Sequence, residues 1–210
     1  VVMAPMGNLN MCEENGRPSD KMLQYFFARA KGGTGLLTTG LIPISHGIDN
    51  TVTEPGKLSF FPRIDRSRTV FSGWRDLAQG VHAYGSRIFI QLTPGLGRVG
   101  PPQCVINEMK LPCSASLNPN FYIPELPCLP LTDLALHKII KNGGQAASDA
   151  KTAGLDGVYL HGHEGYLLDQ LTNPAFNRRK AGRYAYWQNF GLDLVREIRK
   201  RVGDSYPIMY

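Results

Sequence analysis

Residues 153–170 read Ala-Gly-Leu-Asp-Gly-Val-Tyr-Leu-His-Gly-His-Glu-Gly-Tyr-Leu-Leu-Asp-Gln, and this stretch decides the fold. A turn leads into a short apolar run that ends at Leu160, which indicates a buried strand. Two imidazoles, a carboxylate and a phenol follow at once, from His161, His163, Glu164 and Tyr166. In parallel sheets and barrels, chemistry takes place beyond the carboxyl ends of the strands. The stretch therefore predicts an active site at the end of a parallel strand.

Strand and helix patterns alternate on both sides of this stretch. Apolar runs predict strands at residues 2–6, 36–40, 89–92, 157–161 and 208–210. Helical spacing predicts helices at residues 22–30, 71–81, 132–154 and 187–202, the first with Ser19 as its N-cap. Gly143 and Gly144 lie in the middle of the third helix, where each costs roughly 1 kcal/mol relative to alanine. The sequence alone offers no reason for this pair.

This alternation predicts an α/β fold with a parallel sheet, which leaves two architectures. An open doubly wound sheet would carry Gly-x-Gly-x-x-Gly after its first strand, where it is absent. Gly95 to Gly100 fits those letters, but two prolines follow at once and no helix can begin there. A (β/α)8 TIM barrel truncated after strand five fits better. We expect residues 1–210 to form the N-terminal part of a single barrel domain, with a long loop at residues 95–131 that has no secondary structure and serves function.

Composition excludes several classes of protein. The net charge of +6 is dispersed over 210 residues, and no nucleic-acid-binding module is present. No apolar run reaches the length of a membrane span, and no signal peptide is visible. The four cysteines fit no metal-binding pattern, which favours thiols in a reducing cytoplasm. We therefore expect a cytoplasmic protein without nucleic-acid or membrane partners. Because the chain lacks an initiator Met, we expect the true N-terminus upstream.

Several segments together resemble the flavin-dependent old yellow enzyme family. The family's fourth barrel strand ends in His-x-x-x-Gly-Tyr-Leu-Leu-x-Gln-Phe, whose first ten positions His161 to Gln170 match, and a later Asn-x-Arg corresponds to Asn177 to Arg179. Residues 2–6, 30–40 and 89–92 are similar to the family's first three strands. The sequence of these segments looks most similar to the branch of enoate and 2,4-dienoyl-CoA reductases and their NADH:flavin oxidoreductase relatives.

The resemblance implies FMN as the cofactor and NAD(P)H as the electron donor. By position, it implies flavin contacts from Pro5, Met6, Gly7, Gly40, Gln91 and His161. The Gln91 amide offers both a donor and an acceptor, which suits the alternating edge of the pyrimidine half of a flavin. Gly7 departs from the commonest family pattern, because many members place Thr or Cys there. A glycine leaves only a backbone N–H to tune the flavin.

The catalytic residues implied by the resemblance are Tyr166, His161, His163 and Glu164. Tyr166 falls at the position of the proton donor, and a phenol with a pKa near 10 is protonated at neutral pH. His161 falls at the position that bonds the substrate carbonyl, where an imidazole donor would stabilise a developing enolate oxygen. His163 shares its face if the backbone stays extended. A His/His/Glu metal site is the less favoured interpretation, because no remote third ligand is evident, so we expect no metal.

These inferences lead to one main function and two alternatives. The main one is an FMN-dependent oxidoreductase that reduces an activated C=C bond, of enone, enoate or enoyl-CoA type, with electrons from NAD(P)H. The alternatives are a flavin-dependent amine dehydrogenase or demethylase of the same fold, and a non-catalytic truncated remnant. A small-molecule alkene is the expected partner, and a homo-oligomer is compatible with the sequence.

The family's flavin-phosphate loops, and in this branch an iron–sulfur cluster and an FAD domain, lie further toward the C-terminus. We therefore expect these 210 residues alone to be inactive.

Overall fold

A computed structural model describes residues 1–52 and 61–210 of the protein. Its main sheet has five strands: β1 (Val2–Met3), β2 (Leu36–Pro43), β3 (Arg87–Thr93), β7 (Gly157–Leu160) and β8 (Ile208–Met209). They lie in the order β1-β2-β3-β7-β8, and every pair is parallel. The predicted parallel series is therefore confirmed. The first strand is shorter than the predicted residues 2–6.

The helices that connect these strands lie where the apolar spacing predicts them. They are α1 (Asp20–Lys31), α2 (Arg68–Ala83), α4 (Asp133–Ala153) and α6 (Trp187–Val202). The Ser19 hydroxyl accepts a hydrogen bond from the Met22 N–H and caps α1, and Thr132 caps α4 in the same way. Each cap satisfies a backbone donor that the first helical turn leaves unpaired. The apolar faces of these helices pack on the sheet and form one continuous core.

The pair Gly143-Gly144 is explained by the packing of α4 on α6. A Cβ atom at Gly143 would lie 2.6 Å from a methyl carbon of Leu194, and one at Gly144 would lie 2.7 Å from the Cγ of Glu197. Both distances are shorter than a carbon–carbon contact allows. The glycines therefore let the two helices approach each other closely, and this offsets the propensity that the pair costs in the helix.

The prediction that residues 95–131 lack secondary structure is wrong. The segment contains a 3-10 turn at Gly97–Val99, helix α3 (Gln103–Glu108) and a small sheet of β4 (Cys113–Ser114), β5 (Asn118–Pro119) and β6 (Pro127–Pro130). We call this segment the excursion. Its elements are only two to six residues long. Side chains hold them together, as when the Asn118 amide donates to Ser114, Ser116 and Phe176. Such bonds leave no periodic pattern in the sequence.

One short helix was not predicted at all, and it follows the strand-end motif. Helix α5 (Leu167–Thr172) begins directly after Tyr166 and buries three leucines in the core. Cys104, Cys113 and Cys128 are buried thiols of the excursion, and burial raises the pKa of each. Within residues 1–52 and 61–210, no helix combines the length and the apolar character that crossing a bilayer requires.

Candidate active site

A cavity of about 320 Å³ opens beyond the carboxyl ends of β1, β2, β3 and β7. The sequence-predicted site residues that line it are Pro5, Met6, Gly7, Gln91, His161, His163, Glu164 and Tyr166. The remaining wall is largely apolar, with contributions from Leu9, Leu41, Phe61, Leu96 and Val99. Four separate segments of the sequence thus meet at one edge of the parallel sheet, as the strand-end argument expects.

Gly40 is the one predicted site residue outside the described lining of this cavity. Its N–H donates to the Asn8 side chain at 2.6 Å. A Cβ at this position would lie 2.1 Å from the carbonyl oxygen of Met6. Gly40 therefore supports the cavity wall from behind, because only a glycine lets the segment after β1 pack so closely on β2. Its predicted contact with a flavin stays a prediction.

Gln91 and His161 form the buried floor of the cavity, at the ends of the neighbouring strands β3 and β7. Gln91 is 2% exposed and His161 is 3% exposed. The backbone of both is held by the neighbouring strand, since the Gln91 N–H donates to the Thr39 hydroxyl oxygen and the His161 N–H donates to the Leu92 carbonyl oxygen. Their side chains nevertheless keep unused polar atoms. Gln91 Nε2 and His161 Nδ1 are buried without a hydrogen-bond partner among the described residues, which is unusual for buried polar atoms.

The two imidazoles stack as the two-residue spacing predicts. The ring centroids of His161 and His163 are 4.3 Å apart, with an angle of 26° between the rings. Burial, and then the neighbouring His163, lower the pKa of His161 to about 4. His161 is therefore a neutral hydrogen-bonding group at physiological pH, not a cation. His163 lies nearer the solvent, with 55% of its side chain exposed.

Glu164 turns its carboxylate back toward both imidazoles. Its φ of +63° and the φ of +73° at Gly165 make a tight turn in the left-handed region. Glu164 Oε2 lies 3.5 Å from Nε2 of His161, and Oε1 lies 3.9 Å from Nδ1 of His163. Because an ionised carboxylate only accepts hydrogen bonds, this contact favours the His161 tautomer with its hydrogen on Nε2.

Tyr166 follows this turn and lies beside His161, with the ring centroids 4.8 Å apart. Burial raises its pKa above the ordinary value, and the neighbouring Glu164 and Tyr122 raise it further. The phenol is therefore a neutral acid throughout the physiological range. Two hydrogen bonds fix the backbone on either side of Tyr166. The Leu167 N–H donates to the Gly95 carbonyl oxygen, and the Gly165 N–H donates to the Asp169 carboxylate.

Gln170 joins the active-site turn to the excursion. Its amide nitrogen donates to the carbonyl oxygens of Gly165 and Leu96, and its amide oxygen accepts from the Ser114 hydroxyl. Asn177 also holds loop backbone, since its side-chain amide donates to the carbonyl oxygens of Leu171 and Tyr184. Arg178 and Arg179 likewise anchor loops through backbone carbonyl oxygens of the excursion.

The excursion supplies cavity residues that the sequence analysis missed. Tyr122 lines the cavity, and the Asn120 side chain accepts hydrogen bonds from the backbone of Tyr122 and Ile123. Asp49, 1% exposed, holds the turn after β3 by accepting from the N–H groups of Leu96 and Gly97. The aromatic pair Phe121-Tyr122 in a proline-rich loop was the one available signal, because Asp49 acts through contacts that are remote in sequence.

The same residues also meet one geometric requirement of a metal site. Ligand atoms of His161, His163 and Glu164 all lie within 4.8 Å of one another. The sequence analysis expected no metal, and the three ligands come from a single turn. The arrangement is equally that of a carbonyl-binding donor pair with an adjacent carboxylate.

A strand-end cavity with a neutral imidazole, a neutral phenol and an unpaired amide lies at the edge of a parallel α/β sheet, which is where barrel proteins bind small molecules. Comparison with known proteins agrees. The structure superposes on old yellow enzyme from Pichia sp. AKU4542 with a TM-score of 0.80 at 24% identity, over 99% of this chain and 54% of that chain. The main sheet is therefore part of a TIM barrel.

The chain belongs to the NADH:flavin oxidoreductase / NADH oxidase family, whose profile matches residues 1–210. It is 36% identical over 211 residues to cinnamate reductase from Clostridium sporogenes, and 33% identical over 213 residues to NADH oxidase from Thermoanaerobacter brockii. These matches cover 99% and 100% of this chain, but 31% of each relative. The chain thus spans about a third of the length of these curated relatives.

Proposed function

We propose that the intact protein is an FMN-dependent reductase of activated C=C bonds that takes its electrons from NAD(P)H. The observation that carries this proposal is the placement of Tyr166 beside His161 on one wall of a cavity whose floor also holds Gln91. A proton donor, a carbonyl-binding group and a cofactor-facing amide are what such a reaction needs. Family membership and the similarity to cinnamate reductase support the same class of chemistry.

One observation supports the proposal that the residues lining the cavity are suited to hold a flavin. Gln91 Nε2 is buried, unpaired and borders the cavity, so it is available to donate to a carbonyl oxygen of the pyrimidine edge. Pro5, Met6 and Gly7 also line the cavity, and the space where a Gly7 side chain would lie is open. When bound, reduced FMN would supply a hydride to the β-carbon of the alkene.

The chain's own residues supply the rest of the reaction. His161 Nε2 donates to the substrate carbonyl oxygen and stabilises the negative charge that develops there, an effect that is large in a water-excluded site. Tyr166 holds the proton that the α-carbon receives, and its raised pKa keeps that proton in place until the substrate carbanion forms. A protonated phenol favours alkene reduction over amine oxidation. Alkene reduction needs a proton donor, whereas amine oxidation releases a proton from the substrate and needs a group that accepts it.

The two half-reactions of the intact protein test the proposal. The purified protein should carry flavin, and anaerobic NADH or NADPH should bleach it. Rapid mixing with 2-cyclohexenone should then reoxidise the flavin in step with the appearance of cyclohexanone. Reduced flavin that stays reduced in excess enone would contradict the proposal. A preparation that takes up no FMN would instead support the non-catalytic alternative.

A further inference from the structure

The cavity contains a charge pattern that the proposed reaction does not require. Among the described residues that line it, none is a lysine or an arginine, and Glu164 is the one carboxylate. A free carboxylate of a substrate would thus meet no permanent cation in this part of the chain. A carboxylate without such a partner loses its hydration with little in return.

Glu164 also occupies the position from which an anion would be repelled. A substrate oxygen that accepts from His161 Nε2 at a normal distance of about 2.9 Å lies no more than about 6.5 Å from Glu164 Oε2, given the 3.5 Å between that oxygen and Nε2. At such a separation two unit charges repel, and the repulsion grows as the substrate excludes water.

The imidazoles do not offset this repulsion. His161 is neutral at physiological pH, since its pKa is about 4. The carboxylate is also a near neighbour of the other imidazole, since Glu164 Oε1 lies 3.9 Å from Nδ1 of His163. His161 therefore presents a neutral N–H donor beside a carboxylate, an arrangement that matches the partial charge of a carbonyl oxygen better than the full charge of a carboxylate.

We propose that Glu164 is a specificity-determining residue that makes the site select alkenes activated by a neutral carbonyl group, such as a ketone, ester or thioester, over free enoates. This inference rests on the proposed function and deepens it, because enone, enoate and enoyl-CoA substrates are otherwise equivalent choices. Glu164 acts here by charge and by orienting the His161 N–H, and takes no part in hydride or proton transfer.

Two substitutions separate the charge of Glu164 from its structural role. Glu164→Gln removes the charge and keeps an acceptor oxygen for His161. Glu164→Asn also removes the charge and suits the left-handed backbone, which asparagine tolerates better than most residues. Asp204→Asn is the matched control, because Asp204 is an exposed acid in the turn before β8, at the opposite end of the strands.

Binding of saturated analogues tests the proposal without turnover. Calorimetry on the intact protein would compare methyl 3-phenylpropionate with 3-phenylpropionate. We expect the wild-type protein to bind the ester at least about tenfold more tightly than the acid. Glu164→Gln and Glu164→Asn should each strengthen binding of the acid by about tenfold relative to binding of the ester. Asp204→Asn should change neither.

Kinetics on the matched alkenes provides the second measurement. In Glu164→Gln, kcat/KM for trans-cinnamate should rise about tenfold relative to kcat/KM for its methyl ester. Comparing this acid-to-ester ratio between the variant and the wild-type protein cancels the difference in intrinsic reactivity between the two alkenes. Wild-type protein that binds the acid as tightly as the ester, or variants that leave both ratios unchanged, would overturn the proposal. Loss of turnover with every alkene while the binding preference persists would overturn the proposed function alone.

Discussion

The buried floor of the cavity and its exposed rim differ in nearly every physical respect. Gln91 and His161 on the floor are almost fully buried and fixed by parallel strands, whereas the side chains of His163 and Glu164 on the rim are 55% and 59% exposed. Fixed, dry donors stabilise developing charge strongly, and solvated groups do so weakly. The floor is thus suited to catalysis and cofactor recognition, and the rim to substrate choice. Tyr166 lies between the two.

The largest expected effect comes from the residue at the boundary between floor and rim. Tyr166→Phe removes the proposed proton donor, and we expect the oxidative half-reaction with an enone to slow by about 10² to 10⁴. Reduction of the flavin by NAD(P)H should stay nearly unchanged, since that step needs no phenol. Rapid mixing measures the two half-reactions separately. An unchanged oxidative half-reaction would remove Tyr166 from the mechanism, and Tyr122→Phe is the matched control.

The two histidines allow a direct comparison of floor and rim. We expect His161→Ala to lower kcat with an enone by about 10² to 10³, because it removes a preorganised donor in a water-excluded site. His163→Ala should lower it less than about tenfold, because its imidazole is half exposed. Steady-state kinetics on the two variants measures the difference. Equal losses would show that burial does not separate their roles.

Stability should respond to pH through the buried floor. Folding lowers the pKa of His161 from about 6.5 to about 4, so between these values the unfolded chain binds a proton that the folded chain does not. The free energy of unfolding therefore falls as the pH decreases from 6.5 to 4, by roughly 3 kcal/mol for this residue. Denaturant titrations at pH 7 and pH 4.5 should show a smaller loss in His161→Gln. An equal loss would contradict the assignment of His161 as a buried neutral group.

The smallest expected effect concerns metal. His161, His163 and Glu164 are close enough to be metal ligands, but the account assigns them to a carbonyl group. We therefore expect dialysis against EDTA to leave the rate of the oxidative half-reaction unchanged. A loss of activity that zinc restores would show that the rim holds a catalytic ion.

Prediction from the sequence succeeded where the structure depends on residues that are close together along the chain. Apolar runs and helical spacing show directly along the chain, and the five parallel strands and their helices follow from them. The strand-end motif places His161 and Tyr166 on one wall for the same reason. It failed for the excursion, whose short strands depend on hydrogen bonds from Asn118 and Gln170 to distant backbone. It also could not explain Gly143 and Gly144, because their reason lies on α6.

The structure of the flavin-loaded intact protein with methyl 3-phenylpropionate tests the central claim most directly. We expect the Gln91 amide to lie within hydrogen-bond distance of the pyrimidine half of the flavin. We also expect His161 Nε2 to contact the ligand carbonyl, with the Tyr166 hydroxyl over the α-carbon. A flavin ring bound elsewhere, or one that leaves Gln91 and His161 without contact, would contradict the account.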